Sequence, residues 1–588
     1  MIKAFVNILK QIWLYPLAFY LANKVTEAFM LTQGDDIMVR LQNLERTLPV
    51  VLSNPLPSMQ QETLIGGLVA VFFAFFAIQN AKMKKKKYRD GVEHGSAKWG
   101  TPEELAPLVD PDFSKNIILS ETERLRMTPM PKGMWQRTCN KNVLVVGGSG
   151  SGKTSSFVKP QLLQAHSSYI CTDPKGSILQ ECGKFLQKKG YIIRFLDLID
   201  MGMSMKYNPL AYVKNDKDVR TIVNTLMVNT KGEGTGGDSF FEDSAAILLT
   251  ALVSYVCTQA EPEERNFNLV LDLLNSIELR DDPEFKDAVD TLMADLENRC
   301  KAQNKPAPFC VKQYKKFKQA GYKVGQSILA TVNAHVATLE LDEVRQLLSK
   351  DELALDTLGD KYTALFIVVS DTDSTFGFLS AILYAQMFNI LCDKAKNSPK
   401  GRLKVHVRCI LDEFSNFKIP GFEILVSVLR SREISVAPIV QTKSQLTAKY
   451  KDHAETIIGN CDSFLFLGGK EKSTISDISE MLGRETIDSR NTSENKGKDK
   501  SFGQSYQRMG RELLSKDEIA SMDGGKCIVQ IKGCRPFFSR KFNLTKHKNY
   551  KYLSDFDPKN EFDVKKYLKT LGRVQAKKSD VIEVFEVA

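Results

Sequence analysis

No CxxC pair and no cysteine–histidine cluster at metal-ligand spacing occurs in this chain of 588 residues, and histidine is scarce, at six. This excludes a zinc ribbon and a thioredoxin-like redox pair. The eleven cysteines are scattered and odd in number. Cys171 and Cys409 lie inside apolar, strand-like runs, so they read as reduced, buried thiols of a cytosolic domain. No hydrolytic triad is evident. No small-residue cleavage pattern follows a short apolar core, which argues against a cleaved signal peptide. General disorder is excluded as well: hydrophobic residues make up 43% and charged residues 26%, ordinary for a folded protein. The length allows about three or four structural units. The net charge of +11 fits contact with nucleic acid or anionic lipid without proving either.

The N-terminus departs from this average. TLIGGLVAVFFAFFAIQNA (63–81) holds 19 residues without a charge. As a helix it would span about 28 Å, close to a hydrocarbon core. KMKKKKYR follows at once, and positive charge beside a span marks its cytoplasmic side. Everything after residue 82 is therefore expected in the cytoplasm. A first membrane helix is expected near 10–31, with Lys24 and Glu27 placed to pair on one face; an interfacial helix is the alternative. The loop 32–62 would then lie outside, giving a multi-pass hairpin anchor over 1–90.

Beyond the anchor, short apolar runs alternate with helical patterns: NVLVV (142–146), SYICT (168–172), YIIRFLDL (191–198), YTALFIVVS (362–370), VHVRCILD (405–412), ISVAPIVQ (434–441) and SFLFLG (463–468). Continuous apolar strands with intervening helices indicate a parallel sheet covered on both faces, an α/β domain. Residues 213–355 break the rhythm and read as an all-α insertion. It divides the α/β domain into a first part, 91–212, and a second, 356–588, that includes a C-terminal tail. Asp282 is placed to cap one insertion helix with Pro283 in its first turn. QYKKFKQAGYK (313–323) is basic with three aromatics, readable as a nucleic-acid contact or as a solvated helix face. Residues 485–510 are polar and aperiodic and are expected to form a mobile loop.

The chemistry centres on Gly147-Gly148-Ser149-Gly150-Ser151-Gly152-Lys153-Thr154, which fits G-x-x-x-x-G-K-[ST] between a strand and a helix. Glycines there turn backbone N–H groups toward phosphates, and the helix adds its positive end. Lys153 would reach the β- and γ-phosphates and Thr154 would bind Mg2+, so ATP and Mg2+ are the implied cofactors. VHVRCILDEF ends a strand in two acids. Asp412 would hold Mg2+ and Glu413 would act as general base on a water. Gln441, at the tip of another strand, is placed to sense the γ-phosphate. Arg430 and Arg432 precede that strand; either would serve as an arginine finger toward a neighbouring subunit, or pair on the surface with Glu433. Asp173 and Lys175, in TDPKG, fall at the same strand edge as the nucleotide.

An ordered set of motifs resembles a known family: HGSAKWGT (94–101), the glycine-rich loop, KPQLLQ (159–164), TDPKGSIL (172–179), YNPL (207–210), SFFEDSAAILLTALV (239–253), ILDEF (410–414), LRSREISVAPIVQ (429–441) and RELLSKDEI (511–519). Together with the N-terminal spans these resemble the type IV secretion coupling proteins, the TraG-like ATPases of bacterial conjugation. The resemblance implies a RecA-like P-loop NTPase that works as a homohexamer. It implies ATP hydrolysis coupled to delivery of single-stranded DNA, bound to its relaxase, into the channel components of a type IV secretion system. It also assigns recognition of substrate and relaxosome to the all-α insertion.

Two other readings share the motor residues. A septal-type translocase would move double-stranded DNA, and usually carries a winged-helix tail that is not evident after residue 540. A coupling protein for effector proteins would have the same catalytic groups. A receptor using ATP only as a structural ligand would have no need of Glu413.

Overall fold

A computed structural model describes residues 13–33, 36–83, 91–131, 133, 138–231, 239–282, 284–495 and 501–579. The chain forms two units, Met1–Glu93 and His94–Ala588. Most of the lysine run after residue 83 lies outside the described residues.

The first unit consists of helices α1 (Leu14–Leu31), α2 (Ile37–Leu52) and α3 (Gln61–Met83). Small residues let α1 and α3 approach closely. A Cβ on Gly66 would lie 2.3 Å from Thr26 Oγ1, and one on Gly67 would lie 2.6 Å from the Phe19 ring. Lys24 is buried, 2.8 Å from Glu27 Oε2, as their spacing suggested. Among the described residues of this unit, only Gln61–Asn80 is long and apolar enough to cross a membrane. α1 falls short of that, so length and composition alone support one span here. The expected loop 32–62 also carries a helix of its own. Leu41, Leu44, Leu48 and Val51 recur along α2 at helical spacing.

In the second unit a nine-stranded sheet forms the core, in the order β13–β12–β9–β3–β8–β7–β4–β6–β5. The strands are β3 (Val143–Val146), β4 (Ser168–Asp173), β5 (Ile192–Asp197), β6 (Thr363–Val368), β7 (Val407–Leu411), β8 (Ile434–Val440), β9 (Ser463–Phe466), β12 (Lys526–Ile531) and β13 (Phe537–Arg540). From β9 to β5 neighbouring strands run parallel; β12 and β13 add an antiparallel edge. Every residue of β3, β4, β6, β7 and β8 is buried, which is why these runs are predominantly apolar rather than alternating. A small hairpin, β1 (Asn116–Ile118) with β2 (Arg124–Arg126), lies outside the main sheet.

Between β5 and β6 the chain is helical: Asp216–Thr230, Ser239–Gln259, Phe267–Asn275, Ala288–Ala302, Phe309–Lys318, Gly321–Val336 and Asp342–Leu347. Ser239–Gln259 is apolar enough for a membrane span, but half of it is buried within the protein, as in a core helix. The helix expected to start at Asp282 starts later. Asp287 is its N-cap and Asp290 completes a capping box, so the carboxylate three residues on selects the start. Asp282 instead accepts from the Glu284 N–H in a turn, and Pro283 lies outside the described residues. In the basic segment 313–323, Tyr314 and Phe317 are buried. Lys315 and Lys318 pair with Glu297 and Asp290. Two of the three aromatics therefore serve the core rather than an exposed stacking surface.

Residues 485–510 are not an irregular loop. Strands β10 (Arg484–Asn495) and β11 (Ser501–Glu512) pair antiparallel along their whole length. The ribbon belongs to no larger sheet, so no buried face imposes an apolar alternation on its sequence. Its base is tied to the 94–97 segment: Ala97 N–H donates to the Arg484 carbonyl, and Thr486 Oγ1 both donates to the Gly95 carbonyl and accepts from the His94 N–H.

Candidate nucleotide site

The glycine-rich loop leaves β3 held between its two flanking strands. Gly147 N–H donates to the Val440 carbonyl (3.1 Å) and Gly148 N–H to the Gly468 carbonyl (2.9 Å). Gly150 (φ 73°) and Gly152 (φ 80°) take left-handed conformations that an L side chain resists. A Cβ on Gly147 would meet Ser151 Oγ at 2.4 Å. The chain then makes a π-helical turn, Thr154–Val158, and enters α4 (Lys159–Gln164).

Because β3, β8, β7 and β4 are adjacent and parallel, their C-terminal ends form one rim. Ser149 to Thr154, Asp173, Lys175, Asp412, Glu413 and Gln441 all line a single cavity of about 710 Å3 there. Lys153 Nζ donates to the Gly147 carbonyl at 3.0 Å and lies 3.9 Å from Glu413 Oε1. Glu413 has a left-handed backbone (φ 47°), a conformation costing about 1–2 kcal/mol that re-aims its side chain at the strand tip. Gln441 Nε2 donates to the Glu413 carboxylate at 3.3 Å, and Gln441 N–H donates to Gln445 Oε1 at 3.0 Å.

Asp412 is buried. Burial, reinforced by the neighbouring Glu413 charge, pushes its carboxyl up to about 6, while Lys153 opposes the shift. Asp173 is likewise pushed up to about 6 by burial. It sits beside Asp412, since the β4–β7 register pairs Cys171 with Ile410. Its carboxylate accepts from the Leu179 N–H (2.9 Å) and so fixes the start of α5 (Ser177–Lys188). The Thr154 hydroxyl and the Asp412 carboxylate on one cavity wall are hard oxygen donors that fit Mg2+, an ion that keeps waters and shares phosphate oxygens.

Arg430 and Arg432 are not brought to this cavity. They lie in the turn before β8, at the opposite end of the strands. Their surface pairing with Glu433 is not found either. Glu433 is engaged by His406 Nδ1 (2.9 Å), Lys141 (3.3 Å) and Arg402 (3.7 Å). The His406 hydrogen bond, with help from Lys141, holds the Glu433 carboxyl down to about 2. Arg432 donates back to the Val428 carbonyl, whereas Arg430 is exposed and makes no ion pair among the described residues.

The motif reading missed several cavity residues. Gln445, four residues after Gln441, was recoverable from helical spacing. Lys159 was not: it is buried between Glu181 (2.8 Å) and Asp555 (2.7 Å), the latter almost four hundred residues away.

A family model described as Type IV secretory system Conjugative DNA transfer matches residues 112–567. The chain belongs to this family. Among relatives, Protein VirD4 of Rhizobium radiobacter is 23% identical over 502 residues, covering 83% of this chain and 69% of that protein. The conjugal transfer protein TraG of Escherichia coli is 23% identical, covering 79% and 76%. Among solved structures, the bacterial conjugative coupling protein TrwBΔN70 aligns with a TM-score of 0.53 at 16% identity, covering 77% of this chain and 96% of that one. The plasmid coupling protein TrwB in complex with ADP and Mg2+ aligns at 0.51, covering 76% and 94%. At this identity the likeness is one of fold: the α/β architecture of a nucleotide-binding coupling protein. The family and the apolar N-terminal helix together mark a membrane-associated protein.

Proposed function

We propose that this chain is a membrane-anchored ATPase that uses ATP hydrolysis to deliver relaxase-bound single-stranded DNA into a type IV secretion channel. The observation that carries the reading is the meeting of the P-loop, Asp412, Glu413 and Gln441 around one cavity in a chain of the conjugative DNA-transfer family. Gly147 to Thr154 bind the phosphates, with Lys153 turning from the Gly147 carbonyl to the β- and γ-oxygens. Thr154 and Asp412 would hold Mg2+, which when bound would supply positive charge against the phosphates. Glu413 takes the proton of the attacking water, and Gln441, bonded to it, registers loss of the γ-phosphate.

In this reading residues 1–90 form the anchor, a multi-pass hairpin with α1 as its first span, and the bulk is cytoplasmic. Residues 91–212 and 356–588 form the RecA-like motor, and 213–355 meet relaxase and relaxosome. Copies assemble as a homohexamer, with Arg430 serving the neighbouring nucleotide. The test is hydrolysis by the purified full-length protein with and without single-stranded DNA. Expected is ATP turnover accelerated by single strands, lost in Lys153→Ala, with conjugal transfer lost in the same variant. Turnover stimulated only by duplex DNA would favour a double-strand translocase. Stimulation only by a protein substrate would favour effector export.

A further inference from the structure

The C-terminal segment that follows β13 reaches the P-loop. Lys541 is anchored by its own backbone, whose N–H donates to the Gly525 carbonyl at 2.9 Å. Its ammonium donates to the Ser151 carbonyl at 2.8 Å. Ser151 stands between the two left-handed glycines, Gly150 and Gly152, at the most sharply turned part of the loop. The peptide that offers its carbonyl to Lys541 also carries the Gly152 N–H. A cation at one end of a peptide group polarises the other end, making that N–H a stronger donor to an anion.

Lys541 is half-buried and makes no ion pair among the described residues. A partly desolvated ammonium bonded to a neutral carbonyl leaves positive charge uncompensated at the rim of the phosphate cradle. The segment carrying it is held firmly. Asp555 pairs with Lys159 at the start of α4 (2.7 Å), and Asn549 Nδ2 donates to the Leu163 carbonyl (2.8 Å). The tail thus brackets the loop and the helix after it.

We propose that Lys541 is a positioning residue for nucleoside triphosphate. Acting through the Ser151–Gly152 peptide, it holds the P-loop in its turned form and strengthens its grip on phosphate. This rests on the nucleotide reading above. The experiment is a fluorescent ATP analogue titration and a steady-state hydrolysis assay on full-length protein, comparing wild type with Lys541→Ala, Lys541→Met and Lys541→Arg. Loss of one charge-assisted bond predicts an analogue Kd and a KM for ATP raised about tenfold in the Ala and Met variants, with kcat within about twofold of wild type. Lys541→Arg restores both, and the melting temperature stays near that of wild type. Unchanged Kd and KM in Lys541→Met would overturn the proposal. So would an arginine variant as impaired as the alanine one with a matching fall in melting temperature, since that marks a purely structural contact. Wild type that binds no analogue would sink the nucleotide reading itself, and this inference with it.

Discussion

Replacing Glu413 by glutamine separates the two roles a carboxylate can play at that strand tip. The substitution keeps the volume, and its carbonyl oxygen can still accept the Gln441 bond, now 3.3 Å long. What is lost is the base and the charge. A positioned general base contributes about 10²–10⁴ in rate, so kcat should fall by that factor, equivalent to roughly 3–5 kcal/mol in the barrier. Binding should respond differently. Lys153 lies 3.9 Å from Glu413 Oε1. At an effective dielectric near 20 that separation corresponds to a Coulombic attraction of roughly 4 kcal/mol, most of it offset by desolvation of the pair. Lys153 must leave this partner to reach phosphate, so Glu413→Gln removes a competitor. The Kd for nucleotide should be equal to or tighter than wild type. The assay is phosphate release and a nucleotide titration on the same preparation. A variant that still turns over at near wild-type rate, or whose loss is entirely weakened binding, would refute Glu413 as the base.

Arg430→Ala should bind nucleotide normally yet lose most hydrolysis. Mixing it with Lys153→Ala subunits should restore part of the activity, while Arg432→Ala should only loosen its own turn; a read-out is turnover per bound nucleotide in the mixed and unmixed proteins. Asp287→Ala removes the capping box and should cost about 1 kcal/mol, whereas Asp282→Ala should fall within about 0.5 kcal/mol of wild type, as read by urea unfolding. Stability should fall on acidification from about pH 6.5. Burial lowers His166 to about 3 and His406 and His547 to about 4, from 6.5, so each takes up a proton on unfolding in that window. Asp173 and Asp412, raised to about 6 from 3.8, act in the opposite sense between pH 6 and 4. Of these five groups, three take up and two release a proton, leaving one net proton, a loss of about 1.4 kcal/mol per pH unit. Midpoints of denaturation across that range test it, and His406→Asn should flatten the slope.

What was legible in the sequence was whatever a local pattern enforces. The core strands could be read because most are buried on both faces and so are predominantly apolar. The P-loop could be read because left-handed backbone at Gly150 and Gly152 demands glycine. Asp412 and Glu413 followed because they end such a strand. What was not legible is set by partners distant in the chain. The β10–β11 ribbon joins no larger sheet, so its strand pairing left no apolar alternation in the sequence. The cap at Asp287 rather than Asp282 was decided by Asp290, a second carboxylate whose role shows only when both hydrogen bonds are drawn. Lys159 and Lys541 carry no local signal, because their meaning comes from Asp555 and Ser151.

The same logic fixes what Arg430 can and cannot do. The strand β8 runs from Ile434 to Val440. At about 3.3 Å per residue its ends lie roughly 20 Å apart. Gln441, at one end, lines the nucleotide cavity; Arg430 lies in the turn before the other end. No arginine side chain spans that distance through a packed sheet, so Arg430 cannot touch the phosphates of its own chain. The neighbouring acid that would have neutralised it, Glu433, is already committed to His406, Lys141 and Arg402. An exposed arginine with no ion pair among the described residues has its charge available to a partner outside the chain. In the homohexamer proposed above, a nucleotide held at the opposite strand ends of a neighbouring copy would be a partner of the right sign.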